Sequence, residues 1–244
     1  MNAIKFSRQR ILITLAAAAF VSIAPALTHA TVVYDTTGGA TQAIDQQTGD
    51  NNYYIGDTAT IVPTSEPLST ISIVFGSSSL AGPAFTYTPD LILDLYPTAA
   101  NAAAGTGLFG TATVNNVTFT NDGVVGVAGY NYEDEQLVTF DFTSQNIVLP
   151  SSFAFAYHDT APLDSNGSVN GANGFSVGLT AALASPGVSD QNYFYVYPNS
   201  PPPGLLEPQG VYNIEAQISV VPEPTSLSLI GLGSALLLRR RRRA

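Results

Sequence analysis

Apolar and polar residues alternate with a period of two through most of the middle of the chain. Seven segments carry the pattern clearly: Leu68–Phe75 (LSTISIVF), Asp90–Tyr96 (DLILDLY), Gln136–Phe142 (QLVTFDF), Ser152–His158 (SFAFAYH), Gly174–Thr180 (GFSVGLT), Asn192–Tyr197 (NYFYVY) and Val211–Val220 (VYNIEAQISV). They are rich in β-branched and aromatic residues and separated by Gly, Pro, Asn, Asp and Ser, as expected of half-buried strands. TVVYD, TATIV, TATVNNVTF and GVVGVA are weaker strand candidates. Roughly ten short, closely spaced strands predict an all-β fold, a single antiparallel β-sandwich or jelly roll, rather than a parallel α/β sheet. TAANAAAG (Thr98–Gly105) predicts two helical turns, and TAALA a brief extension beyond its strand. Neither is long enough to supply a crossover layer. The segment Tyr197–Gly210 (YPNSPPPGLLEPQG) reads as a Pro-rich loop joining the last two strands. No fixed-period repeat is visible, so the expectation is one domain, residues 31–220.

Both ends depart from this pattern. In residues 1–30, Lys5, Arg8 and Arg10 precede the apolar run ILITLAAAAFVSIAPAL, which leads to Thr28-His29-Ala30. A basic segment, an apolar core and small residues before the cut define a signal peptide, with signal peptidase expected to cleave between Ala30 and Thr31. Residues 221–244 hold Val221-Pro222-Glu223-Pro224, an apolar run from Leu227 to Leu238, and the consecutive arginines Arg239, Arg240, Arg241, Arg242 and Arg243. Twelve apolar residues make about 18 Å of helix. That is short of the roughly 30 Å hydrocarbon core. Starting the helix at Pro224 and letting the first arginines snorkel closes part of the gap, so a marginal transmembrane anchor helix is expected. Arginine clusters stay on the cytoplasmic side, so the segment acts as a membrane stop signal and holds the inner membrane transiently.

A Pro-Glu-Pro motif, a short Gly-interrupted apolar helix and a terminal arginine cluster, in that order, resemble the PEP-CTERM sorting signal. That resemblance implies recognition by exosortase, a membrane transpeptidase that removes the tail and releases or re-anchors the protein at the surface. The middle of the chain is similar, through TISIVFGSS, DLILDLYPTAA, GLFGTATV and VTFDFTSQNIVLPSSFAFAY, to the choice-of-anchor β domains that accompany such tails. This second resemblance implies a β-sandwich of unassigned activity.

Charge narrows the partners. The formal net charge is −10, yet all 18 Asp and Glu residues follow Ala30 and none of the eight basic residues lies between Thr31 and Leu238. The exported part lacks the cationic donors that phosphate binding requires, so nucleic acid is excluded as a partner. The chain has no cysteine, which removes disulfides, thiol catalysis and cysteine-based zinc sites. Twelve tyrosines and twelve phenylalanines supply the apolar surface from which stability must come.

Few residues offer chemistry. His158, beside Asp159, is the one histidine left after signal cleavage, and no nucleophile elbow accompanies it. Glu133-Asp134-Glu135 supplies the paired carboxylates that a glycoside-active enzyme needs, but adjacency in sequence does not set the separation across a cleft. These acids read as a solvated loop before the strand Gln136–Phe142. The loops Asp164–Gly174 and Asp45–Asp57 offer carboxylate and amide oxygens suited to a structural Ca²⁺, although their spacing is not that of an EF-hand. Tyr193, Tyr195 and Tyr197 alternate on one strand face, either as core or as a platform for stacking sugars. The expectation is an exported, non-enzymatic structural or adhesive protein of the cell surface or extracellular matrix, with no resident cofactor. The alternatives are a carbohydrate-binding module for exopolysaccharide and, behind it, a glycoside-active enzyme.

Overall fold

The structure is a computed structural model that describes residues 30–38, 43–47, 54–79, 84–121, 131–159, 173–197, 205–208 and 210–221. In chain order its elements are β1 (Thr31–Asp35), β2 (Ala43–Gln47), β3 (Tyr54–Thr60), β4 (Leu68–Ser79), β5 (Phe85–Tyr87), β6 (Leu91–Tyr96) and helix α1 (Ala99–Ala104). Then follow β7 (Gly110–Val114), β8 (Phe119–Asn121), β9 (Asn131–Asp141), β10 (Ser152–Asp159), β11 (Asn173–Thr180), β12 (Val188–Ser189), β13 (Phe194–Tyr197), β14 (Leu205–Pro208), β15 (Asn213–Ile214) and β16 (Ala216–Val220).

Every strand pairing is antiparallel, as the alternation predicted. The first sheet runs β1-β16-β4-β11-β15, with β9 added to β4 and β2 to β11. The second runs β14-β13-β3-β10-β6-β7, with β12 on β3. A small third sheet pairs β5 with β8. Side-chain hydrogen bonds tie it to both larger sheets: Tyr87 donates its hydroxyl to Asp159 at the end of β10, and Ser77 of β4 donates to the carbonyl of Thr120 at 2.5 Å.

One core fills the space between the large sheets. Ile71, Ile73, Phe75, Phe140 and Ile218 come from the first sheet, and Ile55, Leu93, Phe153, Phe155 and Tyr157 from the second. Phe75 meets Tyr157 edge-on across the sandwich, with centroids 4.8 Å apart. A fully buried Phe of this kind stabilises by about 1.5–3 kcal/mol. The compact unit spans Ala30–Val221, so the ends of the fold fall where the alternating pattern stops.

The second sheet is buried on its outer face as well. Helix α1 starts at Thr98, whose hydroxyl accepts the Asn101 N–H at 3.1 Å, and ends at Gly105 in the left-handed region at φ 61°. Its Ala99, Ala102 and Ala103 rest in a second apolar cluster with Tyr96, Ala154, Ala156, Phe194 and Val196. The small alanines of β10 leave the room that helix and Phe194 ring occupy. Gly56, opposite Phe194 in the β3–β13 register, completes that hollow: a Cβ there would meet the Phe194 ring and the Phe155 carbonyl, each at 2.5 Å.

Several elements differ from their expected extents. The Pro-rich segment Tyr197–Gly210 contains β14, which forms a hairpin with β13 at the end of the second sheet. An end strand tolerates Pro208 because one side of its backbone has no ladder to complete. Val211–Val220 is split into β15 and β16 by Glu215, whose N–H donates to Gly178 and whose carbonyl accepts from Val74. Residues 181–184 are not helical, so TAALA adds no helical turn. Gly123–Ala128 lies outside the described residues.

Candidate functional site

The expected signal-cleavage point and the strand that leads to the Pro-Glu-Pro motif come together at one end of the first sheet. β1 begins at Thr31 and pairs with β16 so that Thr31 faces Val220, with Ala30 exposed beside them. Residues facing each other in an antiparallel pair lie about 4.5–5.5 Å apart between Cα atoms. Val221 stays attached to the fold, its N–H donating to the Pro67 carbonyl at 3.1 Å. The expected cleavage point between Ala30 and Thr31 and the first residues of the C-terminal motif are therefore neighbours in space. Pro222, Glu223, Pro224, the expected anchor helix and Arg239–Arg243 lie outside the described residues, as do residues 1–29. Among the described residues, no helix is long and apolar enough to cross a membrane.

A second constellation sits on the outer face of the second sheet, beside the α1 cluster. His158 on β10 pairs with Ile92, and Ala156, two positions back, pairs with Asp94 of β6, so both polar side chains share this face. The His158 Nε2 lies 3.5 Å from Asp94 Oδ2, and the imidazole stacks on the Tyr54 ring with centroids 4.2 Å apart. Tyr96 donates its hydroxyl to the same Asp94 oxygen at 3.5 Å. Burial and then the Asp94 charge push the Tyr54 phenol up, and the same causes push Tyr96 up to about 12, so both stay protonated donors at neutral pH. A carboxylate, two phenols and an imidazole thus meet at the rim of an apolar floor. Such a set donates and accepts hydrogen bonds next to a flat ring.

This cluster was not visible as a unit in the sequence. Asp94 reads as a polar interruption of LILDLY, and His158 as the end of SFAFAYH. The available signal was the run FAFAY itself, apolar on both faces, which marks a strand covered on its outer side as well.

The other candidates take different positions. Tyr193 is buried and Tyr195 half-buried against the main core, their rings edge-on at 5.9 Å. Phe194 and Val196, on the opposite face, pack in the α1 cluster. Tyr197 closes β13 opposite Leu205. Asp134 and Glu135 belong to β9 rather than to a loop before it. Asp134 stands at φ 49°, and its carboxylate accepts the Thr120 N–H at 2.8 Å, which fastens β8 to β9. Of the proposed Ca²⁺ loops, Asp45 falls in β2 and Asp57 in β3, and residues 48–53 and 164–172 lie outside the described residues. Asp57 is fully buried and spends its oxygens on the N–H groups of Thr58 and Ile214, at 2.7 and 2.8 Å. It is a core hydrogen-bond acceptor, not a loop ligand. Among the described residues, no group of three or more His, Asp or Glu is placed to hold a metal ion.

No curated protein and no solved structure matches the chain. Comparison with family models does find a match, to the PEP-CTERM protein-sorting motif, over residues 220–243. The match begins at Val220, the last residue of β16, and runs through the Pro-Glu-Pro motif, the apolar run and the arginines. An exported β domain whose final strand leads straight into a PEP-CTERM sorting signal is therefore what this chain encodes.

Proposed function

We propose that the protein is a structural or adhesive component of the cell surface or extracellular matrix, made as an inner-membrane-anchored precursor and processed by signal peptidase and exosortase. The observation that carries this reading is the fit between fold and signals: the compact unit spans Ala30–Val221, and the sorting motif begins on its last strand. In this reading the domain is cargo, held in a closed sandwich without an enzymatic role, and its acidic surface keeps it soluble and hydrated outside the cell. Replacing Pro222-Glu223-Pro224 with three alanines tests the sorting step. Unprocessed protein should accumulate in the inner-membrane fraction, and a variant that reaches the surface as efficiently as the natural chain would refute the reading.

A second reading, a carbohydrate-binding module for exopolysaccharide, is favoured by one observation. The Tyr54–His158 stack beside Asp94 and Tyr96 combines a flat ring with donors and an acceptor, the groups that sugar hydroxyls and ring faces engage. This moves the candidate platform from the tyrosines of β13 to the outer face of β10. Retention of the purified domain on the producing cell's polysaccharide, lost on Asp94→Ala and His158→Ala, supports it; retention unchanged by both substitutions counts against it.

A further inference from the structure

Several acids of the domain are spent on its own backbone. Asp35, Asp57, Asp90, Asp134 and Asp141 each accept a main-chain N–H at 2.7–2.8 Å. Asp94 is held differently. It is only 8% exposed, yet its two polar neighbours, the Tyr96 hydroxyl and His158 Nε2, come no nearer than 3.5 Å, and both approach the same oxygen, Oδ2. A buried carboxylate bonded this loosely costs free energy that a counter-charge recovers. No Lys or Arg between Thr31 and Leu238 can supply that charge, and the one histidine of the exported part makes no close bond to Asp94. A cation from outside the chain meets the need.

The surroundings select the kind of cation. Ca²⁺ takes about six to eight oxygen ligands. Among the described residues, no three acids or histidines are placed to hold a metal ion. An organic ammonium group needs a single carboxylate and is favoured beside aromatic rings. Asp94 has both. The Tyr54–His158 stack lies in the neighbouring row of the sheet, and the register carries that row on through Ile92 to Thr113 of β7. Tyr54, His158 and Ile92 are half-buried and Thr113 is exposed, as is Thr111, which pairs with Asp94. Rings, hydroxyls and a carboxylate therefore border one open strip between the α1 cluster and β7.

From this we infer that the Asp94 site takes a protonated amine carried by a saccharide, so that the glycan bound here is an amino-sugar polymer. The inference rests on the carbohydrate-binding reading of this face and names its substrate class. Asp94 accepts the ammonium N–H bonds, the Tyr54–His158 pair supports the sugar ring, and Thr111 and Thr113 offer hydroxyls to its rim. The uncompensated acids of the domain draw a cationic glycan toward it and repel an acidic one.

Calorimetric titration of the exported protein with the glucosamine hexamer of chitosan, the N-acetylglucosamine hexamer of chitin and the glucose hexamer of cellulose tests this, because the three differ at one ring substituent. The glucosamine hexamer should bind at least about tenfold more tightly than the other two, the scale on which a charge-assisted hydrogen bond discriminates. Asp94→Asn should abolish that preference, and Asp141→Asn, at an exposed acid of the other sheet, should keep it. Equal binding of the three hexamers, or a preference that survives Asp94→Asn, overturns the amine inference and leaves the carbohydrate reading standing. A preference lost equally in Asp141→Asn, or hexalysine bound as tightly as the glucosamine hexamer, shows attraction to the overall charge and overturns the inference as well. Binding of none of the saccharides overturns the carbohydrate reading itself.

Discussion

The carboxylate of Asp57, fully buried on β3, accepts the backbone N–H of Ile214 on β15 at 2.8 Å, so a side chain of one sheet is bonded to the main chain of the other. Burial raises this carboxyl from its ordinary 3.8 to about 8, although its backbone hydrogen bonds from Ile214 and Thr58 pull the other way. Below about pH 4 the folded and unfolded chains both hold the proton. Between about pH 4 and 8 the unfolded chain releases it and the folded chain keeps it, so the unfolded state gains and stability falls as pH rises. Asp190, raised by partial burial, acts in the same direction. Urea midpoints measured from pH 4 to 9 should decline and then level off, and Asp57→Asn should flatten the decline. Parallel profiles for the two proteins would remove Asp57 as the cause.

Gly56 should tolerate no side chain. A Cβ would meet the Phe194 ring and the Phe155 carbonyl at 2.5 Å, and the carbonyl belongs to a paired strand that has no room to retreat. Gly56→Ala is expected to destabilise by about 1–3 kcal/mol, the usual cost of overpacking. Equilibrium denaturation checks this, and a change near zero would mean that the Phe194 ring swings aside without loss.

Tyr193 and His158 should respond differently to truncation. Tyr193 lies in the main core, so Tyr193→Ala is expected to cost about 2–4 kcal/mol, as other large-to-small core changes do. The His158 side chain keeps 17% of its surface exposed at the rim of the outer face, so His158→Ala should cost less than half of that. Thermal melts of the two variants decide the matter, and an equal loss of Tm would place His158 among the core supports.

The mature domain should become more stable with salt. Its acids have no basic residue to balance them between Thr31 and Leu238, and Asp134, Glu135 and Asp141 stand exposed. Repulsion among exposed charges is screened over about 10 Å at 0.1 M salt. A Tm that rises with sodium chloride is expected, and a flat response would show that the acids are too dispersed to matter.

The sequence by itself determined the strand class and the address. Period-two patterning places one face of each strand inward whatever the partner, so LSTISIVF, DLILDLY and SFAFAYH read as strands before any pairing is known. Thr98 and Gly105 marked the limits of α1 because capping depends on nearby backbone groups alone. The PEP-CTERM signal is read from consecutive residues and was legible for the same reason. Only the tertiary structure decided which strands are neighbours. It alone could put Asp57 inside the core rather than on a loop, and turn part of the Pro-rich segment into the end strand β14. It alone brought Asp94 to His158 across 64 positions, and Thr31 to Val220 across nearly the whole domain. Contacts between strands far apart in the chain depend on which register buries the most apolar surface without stranding a polar group, and no local pattern encodes that choice.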